Sequence, residues 1–202
     1  MPQWSVPRRS PALRWEWRTF SSSLADLEAK IGLNVQIAPR QSDEIYLLNS
    51  ATPHSAKIRA QVLEVKQLVQ VDPSGLELWN PAFMAAFPLS AFMLQSAFSA
   101  LGLPHPTFQR GVYALDEFLA EIISPNVAFC AVQVNKMRRQ FMFRGCAAEF
   151  VRLRICTMLQ ESFCIENETP ARIIAALGEL GLDSHANINF PMGLKRALAG
   201  TT

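Results

Sequence analysis

The chain has 202 residues, of which 50% are hydrophobic and 18% are charged, and its formal net charge is +2. This length suits one well-buried domain, and the composition is that of a globular protein rather than a disordered one. A charge so close to neutral excludes a general nucleic-acid binder, because such domains carry a clear basic excess. Any functional charge must therefore be local.

The N-terminal stretch predicts a loose tail over residues 1–12, because it holds three prolines and two adjacent arginines, followed by a single domain over 13–202. No apolar run follows the arginines, as a secretory signal would require. The most apolar stretch, residues 83–103, is interrupted by Pro88 and Gln95 and does not suit a membrane span. The four cysteines form no C-x-x-C pair, which favours reduced thiols. We therefore expect a cytoplasmic protein without a membrane partner.

The first half of the chain predicts mainly strands. Alternation and aromatic residues indicate a strand over 13–20, and Ser23 is a candidate N-cap for a short helix that stops at Gly32. Strand-like runs follow at 44–49, 55–59, 62–71 and 76–79. The turn 72–75, Asp-Pro-Ser-Gly, joins the last two runs and predicts a hairpin.

The second half begins with a predicted helical segment over about 85–124, where apolar residues recur at helical spacing after Pro88 and again over 115–123. Strands are predicted at 131–140, 146–153 and 163–168, and a last helix begins at Pro170 and ends at Gly181. Strands and helices do not alternate strictly, so a doubly wound parallel sheet is excluded. The pattern predicts an α+β fold, an antiparallel sheet or barrel with helices packed outside.

Charged residues recur at every second position of these strands, opposite apolar residues. Side chains two apart share one face of a strand. The charged sets are Arg14, Glu16 and Arg18; Lys57 and Arg59; Glu64 and Lys66; Lys136 and Arg138; and Glu166 and Glu168. They could form the solvent face of a sheet. If the sheet closes, they line a polar interior instead, where crowded cations require acids or a bound polyanion.

The order of these motifs resembles the CYTH family of triphosphate tunnel metalloenzymes, which includes class IV adenylate cyclases, thiamine triphosphatases and inorganic triphosphatases. Its E-x-E-x-K strand is similar to residues 14–18, R-W-E-W-R, and its aspartate-and-tyrosine strand to 43–46. An R-x-R strand, a single-lysine strand and an acidic return strand resemble 57–59, 65–66 and 76–77. A K-x-R strand, an acid-bearing strand and an E-x-E strand resemble 136–138, Glu149 and 166–168, and the closing motif resembles 187–190.

The resemblance implies an eight-stranded antiparallel barrel, or tunnel, that encloses a triphosphate. The implied substrate-binding residues are Arg18, Lys57, Arg59, Lys66, Lys136 and Arg138. The implied metal ligands, for Mg²⁺ or Mn²⁺, are Glu16, Glu77, Glu166 and Glu168. Of these, the implied catalytic residues are Glu16, Glu166 and Glu168. The chain departs from the family pattern where Arg14 and Arg18 replace a glutamate and a lysine, and where Asn189 and Phe190 replace a serine and a tyrosine.

The resemblance implies metal-dependent hydrolysis of a triphosphate or polyphosphate, with an inorganic substrate favoured over nucleotide cyclisation. Arg14 in place of an acid favours an alternative, a polyphosphate- or nucleotide-binding module of the same fold without turnover. A third hypothesis is an interaction protein whose charges face solvent. The sequence has no phosphate-binding G-x-x-x-x-G-K-[ST] loop and no G-x-S-x-G elbow. We expect no nucleic-acid partner, and a homodimer stays open.

Overall fold

The computed structural model describes residues 13–32 and 39–200, so the predicted tail over 1–12 lies outside the described residues. These described residues contain ten strands: β1 (Arg14–Ser21), β2 (Arg40–Asn49), β3 (Ser55–Arg59), β4 (Val62–Val71), β5 (Glu77–Ala86), β6 (Leu89–Ser90), β7 (Val112–Tyr113), β8 (Phe129–Phe143), β9 (Cys146–Ile155) and β10 (Met158–Asn167). Eight of them close a barrel in the order β1-β10-β9-β8-β2-β3-β4-β5, while β6 and β7 form a separate pair. All pairings are antiparallel.

Five α-helices accompany the barrel: α1 (Ala25–Ile31), α2 (Ala91–Ala100), α3 (Leu115–Phe118), α4 (Pro170–Leu180) and α5 (Phe190–Ala199). A π-helical turn, Leu119–Ile123, continues α3. The Ser90 hydroxyl caps α2 by accepting a hydrogen bond from the backbone N–H of Met93. Gly181, at φ +69°, ends α4 in a left-handed conformation that suits glycine. No helix in the described ranges is long and apolar enough to cross a membrane.

The outward faces of the barrel strands are apolar and lie beneath the helices. Leu47, Ile58 and Val65 pack with Leu94 of α2 and Phe118 of α3. On another side of the barrel a second cluster forms beneath α4. It contains Trp17, Phe150, Phe163, Ile165, Ile173 and Leu177. The alternation of the strands therefore leaves the opposite faces pointing into the barrel.

One end of the barrel interior is also apolar. Leu48 and Val132 lie on the inward faces of β2 and β8, because they share the alternation of Glu44 and Lys136, and both are buried. Phe190 and Leu194 of α5 pack into the same cluster. α5 thus fills this end, and the charged side chains occupy the rest of the interior.

The prediction of an eight-stranded antiparallel barrel with external helices is confirmed. The predicted bounds differ in places. β5 continues through Pro81 to Ala86, because Ala82 is an extra residue of β5 between the pairs Val65–Phe83 and Lys66–Pro81, and a proline without an N–H is tolerated beside such a bulge. Ser23 is not the N-cap of α1. Leu24 holds that position, and its backbone N–H donates to Glu161 at 2.6 Å.

Candidate functional site

A cavity of about 220 Å³ lies inside the barrel, and charged side chains dominate its wall. The structure brings all six predicted cations to this wall: Arg18, Lys57, Arg59, Lys66, Lys136 and Arg138. Four carboxylates line the same cavity: Glu16, Glu64, Glu149 and Glu166. The cations come from β1, β3, β4 and β8, so four strands converge on one space.

The K-x-R spacing of β3 illustrates how the sequence directs charge inward. Ile58 is buried in the cluster beneath α2, so Lys57 and Arg59 on either side of it point into the barrel. Lys57 lies opposite Glu64 of β4 in the ladder, and the Lys57 Nζ is 3.4 Å from a Glu64 carboxylate oxygen. Arg59 donates to the other Glu64 oxygen at 2.8 Å. The two cations are therefore held by an acid on the neighbouring strand.

Glu44 is the centre of the cationic wall, and its side chain is completely buried. The carboxylate lies within 4.0 Å of four cationic side chains, and Tyr46 Oη also donates to it at 3.1 Å. The distances to Lys136, Arg138, Arg59 and Lys57 are 3.0, 3.5, 3.8 and 3.9 Å. Burial alone would raise the pKa of Glu44, but these cations, Lys136 foremost, hold the pKa at about 2. Glu44 is thus an anion that gathers the cations.

Glu44 is a site residue that the sequence does not predict, although it lies in segment 43–46, which resembles the aspartate-and-tyrosine strand of the family. The available signal was alternation, because Ser42, Glu44 and Tyr46 share one face of β2. Glu64 and Glu149 are in neither the predicted set of metal ligands nor the predicted set of substrate-binding residues, but both line the cavity. Acids that neutralise an inner charged wall were therefore missed.

Lys136 lies at the junction between the charged and the apolar parts of the interior. Its Nζ donates to Tyr46 Oη at 2.6 Å and is 3.5 Å from the ring centroid of Phe190, which stacks on Tyr46. This is a cation–π contact. Burial lowers the pKa of Lys136 to about 7, although the Glu44 carboxylate opposes this effect. The ammonium is therefore held close to its titration point at neutral pH.

Arg18 connects the cationic wall with the acids of β1 and β9 and with a hydroxyl group of β10. Its Nε donates to Glu16 at 3.1 Å, its Nη1 donates to Ser162 Oγ at 3.0 Å, and its Nη2 is 3.7 Å from Glu149. The backbone N–H of Arg18 donates to the side chain of Asn187 at 2.8 Å. The segment before α5 therefore fixes β1 at the point where its charges enter the cavity.

Glu16 and Glu166 face one another across the β1–β10 ladder and line the cavity. Burial would raise the pKa of Glu16, but Arg18 and Lys66 outweigh it and hold the pKa at about 2. The pKa of Glu166 is raised, first by burial and then by the negative charge of Glu16. Two carboxylates in this relation are suited to share a divalent cation, which removes their repulsion.

Arg14, which stands where the family pattern has an acid, lies beside this pair of carboxylates. Its Nη1 is 4.0 Å from a Glu166 oxygen, and its side chain is 48% exposed. On the other side, Lys66 Nζ is 3.9 Å from Glu16. Both carboxylates therefore already have cationic neighbours.

Two of the predicted metal ligands are not brought to the cavity. β10 ends at Asn167, so Glu168 falls in the bend before α4, where it is exposed, and the alternation that would turn it inward has ended. The prediction that Glu168 shares the face of Glu166 is wrong for this reason. Glu77 is buried but accepts hydrogen bonds from Asn189 Nδ2 at 2.8 Å and from the indole of Trp79 at 3.2 Å. It anchors the start of α5 and does not line the cavity.

Arg138 has one buried donor without a hydrogen-bond partner among the described residues. Its Nη2 donates to Ser42 Oγ at 3.1 Å, and its Nη1 lies 3.5 Å from Glu44. Its Nε is buried and has no hydrogen-bond partner. A buried donor without a partner is costly, and an anionic oxygen in the cavity could accept from it.

No protein-family model and no curated protein matches the chain. Solved structures do. A "putative adenylate cyclase" from Bacillus halodurans aligns with a TM-score of 0.52 at 13% identity, over 90% of this chain and 95% of that chain. A "putative adenylyl cyclase" from Hippeastrum, described as having a dominant triphosphatase activity, aligns with a TM-score of 0.45 at 12% identity, over 91% and 95%. The likeness to the Bacillus halodurans structure bears on the fold alone, and with the closed eight-stranded barrel it leads to one conclusion: the chain has the fold of the CYTH domain.

Proposed function

We propose that this chain binds a linear triphosphate or polyphosphate in the barrel cavity and hydrolyses a phosphoanhydride bond with the help of a divalent metal. The observation that carries the proposal is the convergence of six cationic side chains from four strands on one cavity. Lysine and arginine form charge-assisted hydrogen bonds with phosphate oxygens, and arginine can do so with two N–H groups at once. The buried, unpartnered Nε of Arg138 adds a donor that such an oxygen would satisfy.

The cations would act on both binding and reaction. Carboxylates in and behind the same wall offset much of this charge, so a divalent cation at Glu16 and Glu166 would supply part of the positive charge that a polyanion needs. In the reaction, fixed positive charge around the chain of phosphates would stabilise the negative charge that develops on the leaving phosphate. Lys136 and Arg138, held by Glu44, cannot move far, so the stabilising charges are already oriented before the substrate arrives.

Glu16 and Glu166 are the residues that would hold Mg²⁺ or Mn²⁺. Their donor set fits, because Mg²⁺ is commonly bound by one or two carboxylates together with substrate phosphates. The raised pKa of Glu166 beside Glu16 supports a cation between them. When bound, the metal would polarise the phosphoryl group under attack. We place hydrolysis ahead of nucleotide cyclisation, because charged side chains dominate the lining of the cavity.

A second candidate is a polyphosphate-binding module without turnover. Arg14 favours it, because its guanidinium lies 4.0 Å from Glu166 and so competes with a metal for that carboxylate. The hypothesis of an interaction protein with solvent-facing charges is not retained, because Arg18 and Lys136 are only 6% and 3% exposed.

Release of phosphate from tripolyphosphate, with and without Mg²⁺ or Mn²⁺, separates the two candidates. Hydrolysis predicts metal-stimulated release that Glu166→Gln abolishes. The matched control is Glu179→Gln, which removes an exposed acid of α4 paired with Arg144 and should leave release unchanged. A rise in melting temperature with tripolyphosphate but no release would favour the binding module. If tripolyphosphate gives no phosphate release and no rise in melting temperature, both candidates are refuted.

A further inference from the structure

A thiol lies beside the two carboxylates that the proposed function assigns to the metal. Cys164 precedes Glu166 by two residues on β10, so it points to the same inner face, and it is 1% exposed. Its Sγ is 3.9 Å from a Glu166 oxygen. One ligand atom each from Glu16, Cys164 and Glu166 lies within 4.8 Å of the others.

The spacing of these donors is close to that of a tetrahedral site. With metal–sulfur and metal–oxygen bonds of zinc type, two ligands of one tetrahedral ion are about 3.6 Å apart. The observed sulfur–oxygen distance of 3.9 Å needs only a small inward movement. Arg18 uses one oxygen of Glu16, Lys66 Nζ lies 3.9 Å from the other, and the half-exposed Arg14 lies 4.0 Å from Glu166. A metal ion between the three donors would therefore take the place that Lys66 and Arg14 now hold beside the carboxylates.

The chemistry of the donors selects the ion. Mg²⁺ demands oxygen ligands in octahedral geometry, and a thiolate offers it little. Zn²⁺ accepts thiolate and carboxylate together, and a site with three protein ligands leaves a fourth position for water or a substrate oxygen. On binding, the metal–sulfur bond forms as the thiol proton leaves to solvent.

We propose that Glu16, Cys164 and Glu166 form a site for a borderline-soft divalent ion of the Zn²⁺ class, which binds there ahead of Mg²⁺. The inference deepens the proposed function, since it concerns the same pair of carboxylates. It differs from that proposal because it names the thiol as a ligand and predicts that the site binds Zn²⁺ more tightly than Mg²⁺.

Cobalt titration of the full chain tests the site without any enzymatic assay. The exposed Cys130 and Cys156 are first changed to serine, so that their thiols cannot bind metal. Co²⁺ should then give a thiolate-to-cobalt charge-transfer absorption, which stoichiometric Zn²⁺ removes and a large excess of Mg²⁺ does not. Cys164→Ser should abolish the absorption and weaken Zn²⁺ binding by at least about 100-fold, the upper end of what loss of an outer-shell partner costs.

The matched control is Cys146→Ser, which changes the other buried cysteine, packed in the cluster beneath α4. It should leave the absorption intact. Glu166→Gln removes a carboxylate ligand instead of the thiol, and it should also weaken Zn²⁺ binding. It therefore tests the site independently if Cys164→Ser lowers the melting temperature. An absorption that is absent from the parent protein, or that survives Cys164→Ser, overturns the inference.

Stabilisation by tripolyphosphate, measured without metal, keeps the two proposals apart. A rise in melting temperature without the cobalt absorption would overturn the thiolate site and leave the phosphate-binding proposal standing. The cobalt absorption without any effect of tripolyphosphate would support the metal site and refute the phosphate proposal.

Discussion

Glu44→Gln offers a direct test of the charged interior, because the substitution keeps the shape of the side chain, removes its charge and replaces one acceptor oxygen with an NH2 group. The pKa of Glu44 is held at about 2 instead of 4.5, which corresponds to roughly 3 kcal/mol of net attraction between the ionised carboxylate and its surroundings. We therefore expect the variant to lose about 3 kcal/mol of unfolding free energy at neutral pH, in line with other broken buried ion pairs.

The pH dependence of this loss follows from the sign of the shift. The folded-state pKa of Glu44 is lowered, so its contribution is complete above about pH 4.5 and disappears as the pH falls towards 2. Over this range, the parent protein should lose stability that the variant never had. Tripolyphosphate should stabilise the variant more than the parent, because the polyanion replaces the missing negative charge among the four cations.

Urea unfolding with and without tripolyphosphate measures both effects. Glu179→Gln is the control, since its exposed pair with Arg144 should contribute little. A loss below about 1 kcal/mol for Glu44→Gln would show that Glu44 does not hold the cations together. A smaller ligand-induced stabilisation in the variant than in the parent would contradict the view that the ligand and Glu44 serve the same charges.

Three further changes follow from the structure. Lys136→Met should weaken tripolyphosphate binding at least about tenfold at pH 6. The difference in affinity between variant and parent should shrink as the pH rises through about 7, where the parent lysine loses its proton. A ratio of the two dissociation constants that calorimetry finds constant across this pH range would contradict the prediction. Gly193→Ala places a Cβ 2.4 Å from the ring of Phe20 and should lower stability by about 1–3 kcal/mol. Its control, Gly178→Ala, meets no atom within 4 Å and should stabilise α4 by up to about 1 kcal/mol; equal urea midpoints for the two would refute the packing argument. Asn189→Ala removes the cap of α5 and should cost about 1 kcal/mol, so an unchanged midpoint would count against it.

Much of the fold was predictable, because alternation is a local property of the chain. The pairs Lys57–Arg59 and Lys136–Arg138 each flank an apolar or outward-facing residue, and this spacing alone directs both members to one face. The closure of the sheet then turns these faces inward. The order of the motifs added the eight-stranded barrel, which the structure confirms.

The errors arose where a local pattern met a boundary or a partner distant in sequence. Glu168 continues the spacing of Glu166, but β10 ends at Asn167, and no sequence periodicity marks that end. Glu44 was missed because its role depends on Lys136 and Arg138, which lie about ninety positions further along the chain. Glu77, an expected metal ligand, is absent from the cavity lining, and its carboxylate accepts a hydrogen bond from Asn189 near the C-terminus. Such contacts exist only after the barrel has closed.

The packing of α5 into one end of the barrel determines from which end a ligand could enter the cavity. Phe190 and Leu194 join the apolar cluster that fills this end, and Phe190 and Pro191 also form part of the cavity wall. A ligand of the proposed kind would therefore enter and leave through the opposite end, where the cavity shares Glu149 and Glu166 with a second hollow lined by Arg14. We expect a long polyphosphate to be engaged from one of its termini and a ring-closed phosphate to be a poor ligand. The first phosphate to enter would be the last to depart.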